Sequence, residues 1–180
     1  MSRSPYFFVE RPDAHTGKYE LQHPLIWNFN HTKRVPADLY PYNGSHELFS
    51  IVEEGGEFPE MKGIHYGLPE DVSEDIKKEF NACFYDIDLS NESRHIEPRV
   101  RWFTYADMYI YCLKYPEVKD YEAIEEAYYY AQDDKKIDEN IMKPTPMMKL
   151  KKRVDAFLEV MDGWNWENDY SQIRIVYWIN

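Results

Sequence analysis

The residues of this chain best suited to hold a metal are six histidines, at positions 15, 23, 31, 46, 65 and 95, and the pair Asp86-x-Asp88. Their spacing decides what they can do. No two histidines stand four apart and there is no His-Glu-x-x-His, so a preformed zinc site lacks its helical frame. Surface or hydrogen-bonding roles are expected for these imidazoles. Asp86 and Asp88, with Asp71, Glu74 and His65 near in sequence, offer oxygen ligands for Mg²⁺ or Ca²⁺. They lack the glycine and glutamate of an EF-hand loop, and an acidic loop is the plainer reading. Ser45-His46 and Cys83 supply nucleophilic atoms, but a nucleophile needs an oriented base, and Cys83 falls on an apolar stripe that marks it for the core. With no G-x-x-x-x-G-K-[ST], no G-x-G-x-x-G and only seven glycines, the chain has no loop to cradle a phosphate, and no cofactor or resident metal is expected.

Charge is the stronger signal. Residues 45–92 carry thirteen Asp and Glu against three Lys, and residues 117–139 carry nine against three. These two regions exceed the whole net charge of −12, so the acid is concentrated on a mildly basic frame. Tyrosines run through both regions. Carboxylates interleaved with tyrosine form a surface that can dock on a basic groove, including one built for nucleic acid. A pI near 4.9 argues against direct binding to nucleic acid or to anionic membranes. The candidate docking residues are Glu53, Glu54, Glu57, Glu70, Asp71, Glu74 and Asp75 in the first region. Glu122, Glu125, Glu126, Tyr129 and Tyr130 are the candidates in the second, where carboxylates and the run Tyr128–Tyr130 share adjoining faces of one helix. The plainer alternative is a solvated helix with Ile124 and Tyr128 turned to the core. Lys149, Lys151, Lys152 and Arg153 read as the wet side of another helix, too short a cluster for a nucleic-acid patch on so acidic a chain.

The elements that must position these residues form an α+β pattern: a small antiparallel sheet, made of an N-terminal hairpin and a C-terminal strand, covered on one face by four to five helices. Tyr6–Val9 reads as a strand, Pro12–Gly17 as a turn and Lys18–Gln22 as the returning strand. Residues 23–44 read as a loop with Trp27 and Phe29 inward, Ser45 as the cap of a short helix ended by Gly55-Gly56, and Pro59–Leu68 as irregular. Asp71 and Glu74 have capping-box spacing for a helix striped by Val72, Ile76, Phe80 and Cys83. Thr104 and Asp107 start another, with Tyr105, Met108, Tyr109, Cys112 and Leu113 inward and Pro116 as its stop. Glu117–Gln132 reads as a further helix and residues 132–143 as a mobile linker. Pro144–Asp162 is the best-patterned helix, with Met147, Leu150, Val154, Phe157, Leu158 and Met161 on one side and Gly163 at its end. Gln172–Ile179 alternates as a strand, Ile173, Ile175, Tyr177 and Ile179 against Arg174, Val176 and Trp178. No repeat or domain boundary stands out, so 180 residues read as one domain.

Aromatic rings dominate the expected core, because 17% of the residues are Phe, Trp or Tyr while mean hydropathy is only −0.72. No apolar run reaches the roughly 20 residues of a membrane span, and Met1–Arg11 lacks the apolar middle of a signal peptide. A cytoplasmic location follows as the expectation. Cys83 and Cys112 exclude a disulfide framework and read as structural thiols.

Several motifs follow a shared order: Phe8-Val9-Glu10, Glu47–Val52, Tyr66-Gly67-Leu68-Pro69-Glu70-Asp71-Val72-Ser73, Arg101-Trp102-Phe103-Thr104 opening a helix, and Arg174–Trp178. This order resembles a family of small phage and prophage proteins that typically begin Met-Gly-Cys-Asp-Ile-His. The resemblance spans nearly the whole chain, and its specific part is the Gly-Leu-Pro-Glu-Asp-Val-Ser block, physically a glycine turn, a proline and a helix start. It implies a phage setting rather than a mechanism. Members often carry Cys, Asp and His at the start and an Asp-Gly-His-Ser stretch before the later helix, which together read as a metal or polar site. This chain has Arg3, Ser4 and Tyr6 at the first place and Tyr85–Ser90 without histidine at the second, so a metal-dependent reaction, if the family has one, is expected to be lost here.

The expected function is therefore that of a non-enzymatic, acidic protein-binding module in the host cytoplasm. Its concrete form is an anti-defence inhibitor of the anti-CRISPR kind, whose carboxylates replace phosphates in a groove of a host nuclease complex or other nucleic-acid-binding protein. One alternative is a binder of a nucleotide or divalent ion, or a degenerate hydrolase, with Trp27, His65, Tyr66, Asp86 and Asp88 lining a pocket. The other is a phage structural or assembly protein.

Overall fold

Arg174–Ile179 alternates between two apolar sets and forms the central strand of a five-stranded antiparallel sheet. The computed structural model describes residues 5–22, 60–84, 100–131, 136–162 and 170–179. In chain order the elements are β1 (Pro5–Pro12), β2 (Tyr19–Leu21), β3 (His65–Tyr66), α1 (Glu74–Phe84), β4 (Arg101–Thr104), α2 (Tyr105–Lys114), β5 (Glu117–Lys119), α3 (Tyr121–Tyr130), β6 (Met142–Pro144), α4 (Pro146–Asp162), a 3-10 turn (Tyr170–Gln172) and β7 (Arg174–Ile179). The sheet order is β2-β1-β7-β4-β3, and β5 pairs with β6 in a separate two-stranded ladder. This is the expected α+β class. The N-terminal hairpin and C-terminal strand are indeed neighbours, in register from Pro5 opposite Ile179 to Glu10 opposite Arg174.

The hairpin turn forms where the sequence puts it. Asp13 Oδ1 accepts from the backbone N–H groups of His15 and Thr16 at 3.0 and 2.7 Å, and these bonds hold its carboxyl below the usual range, that to Thr16 foremost. Gly17 closes the turn at φ +68°, a conformation that costs glycine little.

Both faces of the sheet are covered, where one was expected. On the first face Phe7, Val9, Phe103, Ile175 and Tyr177 meet Met108 and Cys112 of α2 and Leu150, Val154, Phe157 and Leu158 of α4. On the second, Phe8, Val176 and Trp178 meet Val72 and Ile76 of the α1 region, with Phe80 packed alongside. Ring stacks seal each layer, Phe7 on Tyr177 at 5.4 Å and Phe8 on Trp178 at 4.6 Å. Burying each such ring contributes roughly 2–3 kcal/mol, so a central strand with aromatics on both sides is favoured over a half-wet one.

Several boundaries differ from the sequence reading. Arg101–Thr104, read as a helix opening, is β4 beside β7, and only after it does Thr104 cap α2. Four residues are too few to show a period. The capping box itself is as expected: Asp107 N–H donates to Thr104 Oγ1 and Thr104 N–H to Asp107 Oδ2, both at 3.1 Å. Tyr109 and Leu113, placed in the core by spacing, are exposed, while Tyr111 is buried. Glu117–Lys119 is a strand, so the following helix begins at Tyr121; the partner of that strand is Met142–Pro144, of which Met142 and Lys143 read as linker and Pro144 as the start of the last helix. Within Pro59–Leu68, read as irregular, His65–Tyr66 pairs with Trp102 and Arg101 as an edge strand. Asp71 does not cap α1. That helix starts at Glu74, and the Asp71 carboxylate is held by Arg174 instead. α4 begins at Pro146 and buries Met147, Leu150, Val154, Phe157 and Leu158 as its pattern requires. The loop 23–44, the helix expected from Ser45, Gly163 and the side chains of Cys83 and Met161 lie outside the described residues.

Candidate functional site

α3 is built to stand off the body. Asp120 caps it, accepting from Ala123 N–H at 3.2 Å with Lys143 Nζ at 3.4 Å, and these contacts keep its carboxyl below the usual range, the Ala123 bond first. The ladder beneath it pairs Glu117 with Pro144, Val118 with Lys143 and Lys119 with Met142. Thr145, fully buried, fastens that ladder between α2 and α4: its N–H donates to Pro116 O at 3.1 Å, its hydroxyl donates to Tyr115 O at 2.9 Å, and Met148 N–H donates back to the hydroxyl at 3.2 Å. The helix is thus held at its base while most of its surface meets water.

Only Ile124 of α3 is buried, and Ala123 and Ala127 flank it half-buried. Opposite them stand Glu122, Glu125 and Glu126, all exposed, with Tyr129 at 82% exposure. Tyr129 follows Glu126, Glu125 and Glu122 by three, four and seven positions, so helical geometry puts all four on one face. Tyr130, 73% exposed, meets the Tyr129 ring edge-on at 5.1 Å and 89°. Tyr121, 64% exposed, extends the aromatic surface at the other end. Sequence reading passed over it because the helix was started four residues too early; its position one turn before Glu125 was the signal. Tyr128 is exposed, not turned to the core, and donates to the Glu139 carboxylate, which raises its phenol above the ordinary range. The helix contains no Lys or Arg, and among the described residues no cation lies within ion-pair distance of the three carboxylates.

The acidic residues of the first region are differently placed. Glu74 is bound by Lys77 at 2.8 Å and Asp75 by Lys78 at 3.7 Å, so α1 largely neutralises itself. The Lys77 bond lowers the Glu74 carboxyl below its usual range. Glu70 is exposed on the preceding loop. Glu53, Glu54 and Glu57 lie outside the described residues. α1 packs on the second face of the sheet, whereas α3 hangs from the helix layer on the first, so the two acidic helices do not share a layer.

Spacing gave no sign of a buried ion pair at one end of the second face. Arg174 Nε donates to Glu10 Oε1, its Nη1 to Asp71 Oδ1 at 2.7 Å and its Nη2 to Asp71 O at 3.1 Å. Ser73 N–H donates to the other Glu10 oxygen at 3.1 Å, and the Tyr19 ring lies 3.5 Å from the guanidinium carbon. The partners stand 164 and 103 positions apart, beyond any local pattern. With Glu10 fully buried and every guanidinium nitrogen engaged, this cluster joins β1, β7 and the α1 entry and presents no free charge for chemistry.

Of the pocket residues, His65 is stacked on Trp102 at 4.0 Å and Tyr66 is exposed beside Arg101, while Trp27, Asp86 and Asp88 lie outside the described residues. The described residues contain no group of three or more His, Cys, Asp or Glu placed to hold a metal ion, and no helix among them is long and apolar enough to cross a membrane. Burial pushes the Cys112 thiol up to about 11, which makes it a poor nucleophile. In the basic cluster Lys151 is paired with Asp155 at 2.6 Å; Lys152 is exposed, but Lys149, Lys151 and Arg153 are half-buried, so the wet-side reading holds for Lys152 alone.

Comparison with protein-family models, with curated proteins and with solved structures found no match to this chain.

Proposed function

We propose that this protein is an acidic protein-binding module whose α3 face occupies a basic groove on a host nucleic-acid-binding protein or nuclease complex, keeping nucleic acid out of it. In its concrete form it is a phage-encoded, anti-CRISPR-like inhibitor; the phage setting rests on the motif resemblance alone. One observation carries the docking role: Glu122, Glu125 and Glu126 stand exposed with no cation among the described residues within ion-pair distance, around a tyrosine that is itself almost wholly exposed. Carboxylates left unpaired at a surface cost nothing in water, yet they meet a groove lined with Lys and Arg as phosphates would, and tyrosine supplies contact area at small entropic cost. α1 supports this less, since its lysines answer its own acids. Glu70, Asp71, Glu74 and Asp75 are therefore peripheral to the reading, and α3 with Tyr129 and Tyr130 is its centre.

The test starts from tagged protein incubated with bacterial lysate, with retained proteins identified by mass spectrometry. Each candidate is then purified and its affinity measured between low and high salt. A nuclease or nucleic-acid-binding protein is expected, bound more weakly as salt rises and losing its nucleic acid to this protein. Reversal of the three α3 carboxylates to lysine should abolish binding. An affinity indifferent both to salt and to that reversal would remove α3 from the function.

A further inference from the structure

Among the described residues the ingredients on α3 recur twice, each time with a cation in place. Arg174 lies on the Tyr19 ring with its guanidinium carbon 3.5 Å from the ring centre, and its nitrogens reach the carboxylates of Glu10 and Asp71. Lys151 lies 5.6 Å from the Tyr105 ring centre and 5.3 Å from that of Tyr109, bound to the Asp155 carboxylate at 2.6 Å. Tyrosine with carboxylate is thus one means by which this chain holds a cation, beside the plain ion pairs of Lys77, Lys78 and Lys143. The guanidinium stacks closely on its ring, while the ammonium sits near two rings at greater distance. This follows from shape: a planar guanidinium can lie flat on a ring and still direct N–H groups sideways to carboxylates, and an ammonium cannot.

The face of α3 has the same parts and, among the described residues, no cation in ion-pair distance. The Tyr129 ring, with Tyr130 edge-on at 5.1 Å, makes an aromatic corner, and Glu125 and Glu126 stand one turn before it, with Glu122 a turn beyond. From this charge complementarity we infer that the occupant of this face is an arginine side chain of a partner protein, laid on Tyr129 and bracketed by Glu125 and Glu126. The inference rests on the docking role proposed for α3 and names the chemistry that it selects. Lysines of the same groove would contribute general attraction without filling the corner.

The full chain, isotope-labelled, would be titrated by NMR with two capped ten-residue peptides that alternate glycine with arginine or glycine with lysine, equal in charge and length. The arginine peptide is expected to bind roughly two- to fivefold more tightly, with shifts centred on residues 121–130. Tyr129→Leu, at a position too exposed to disturb folding, should bring the two affinities together. Equal affinity of both peptides on α3 overturns the arginine inference and leaves the docking role standing. An arginine preference that survives Tyr129→Leu overturns it too, since the ring would not be responsible. Absence of shifts on α3 with either peptide overturns both the inference and the docking role.

Discussion

Replacing Glu10 with alanine should be among the most costly single changes in the protein. Glu10 is fully buried, and the Arg174 side chain beside it is only 5% exposed. Removing the carboxylate leaves a buried guanidinium half-compensated and withdraws the acceptor of Ser73 N–H. Breaking a buried pair costs about 3–5 kcal/mol, and orphaning a buried N–H about 1–3 kcal/mol more. Asp71 offsets part of this, because it keeps two hydrogen bonds to the guanidinium, at 2.7 and 3.1 Å. The net expectation is about 4 kcal/mol, equivalent to a fall in Tm of roughly 8–16 °C for a chain of this size. Asp71→Ala is the contrast. Its side chain is 67% exposed, so solvent already screens that pair, and about 1 kcal/mol is expected. Replacing the pair together, Glu10→Leu with Arg174→Met, should recover most of the loss, because two apolar side chains leave no charge to be neutralised. Urea denaturation of the four proteins, with m-values compared, measures all of this. Equal losses for Glu10→Ala and Asp71→Ala, or a double variant no better than Glu10→Ala, would refute the view that burial sets the cost.

Two further outcomes are expected. Thr104→Ala removes the hydroxyl that accepts from Asp107 N–H and donates to its carboxylate, leaves the backbone half of the α2 capping box in place, and should cost about 1 kcal/mol in denaturation, with Thr104→Ser restoring most of it. Burial, the first cause, pushes the Cys112 thiol of the folded protein up to about 11 from its ordinary value of 9.0. A folded pKa raised in this way favours the protonated thiol, so its contribution to stability is full below about 9 and is lost as pH rises from about 9 to about 11. In a Cys83→Ser background, thiol labelling at pH 8 should therefore be slow and become fast only on unfolding, whereas rapid labelling of folded protein would contradict the burial.

Much of the frame was legible in local pattern. The hairpin through Asp13 and Gly17, the capping box of Thr104 and Asp107, the apolar stripe of α4 and the alternation of β7 are each set by residues within a few positions of one another, where side-chain period and capping chemistry act alone. The unequal charge was legible for the same reason, since composition needs no fold. Short elements were not: β3, β4, β5 and β6 have two to four residues each and exist because a partner strand supplies their hydrogen bonds. Nor was the second covered face, because the alternation of β7 looks the same whether one side or both are buried.

Which acids remain available was decided partly within single helices and partly by tertiary structure. Asp71 and Glu74 carry the same charge in sequence as Glu122 and Glu125, yet the first is taken by an arginine 103 positions away and the second by its own helix. Among the described residues no cation pairs with the α3 carboxylates, and Thr145 and Asp120 hold that helix to the body by its base. Sequence by itself determined that this protein has acid and tyrosine to offer a basic partner, for composition fixes charge. The contrast between α1 and α3 is local, lysines three positions on in one and none in the other, whereas the capture of Asp71 by Arg174 came from a long-range contact that no local period encodes.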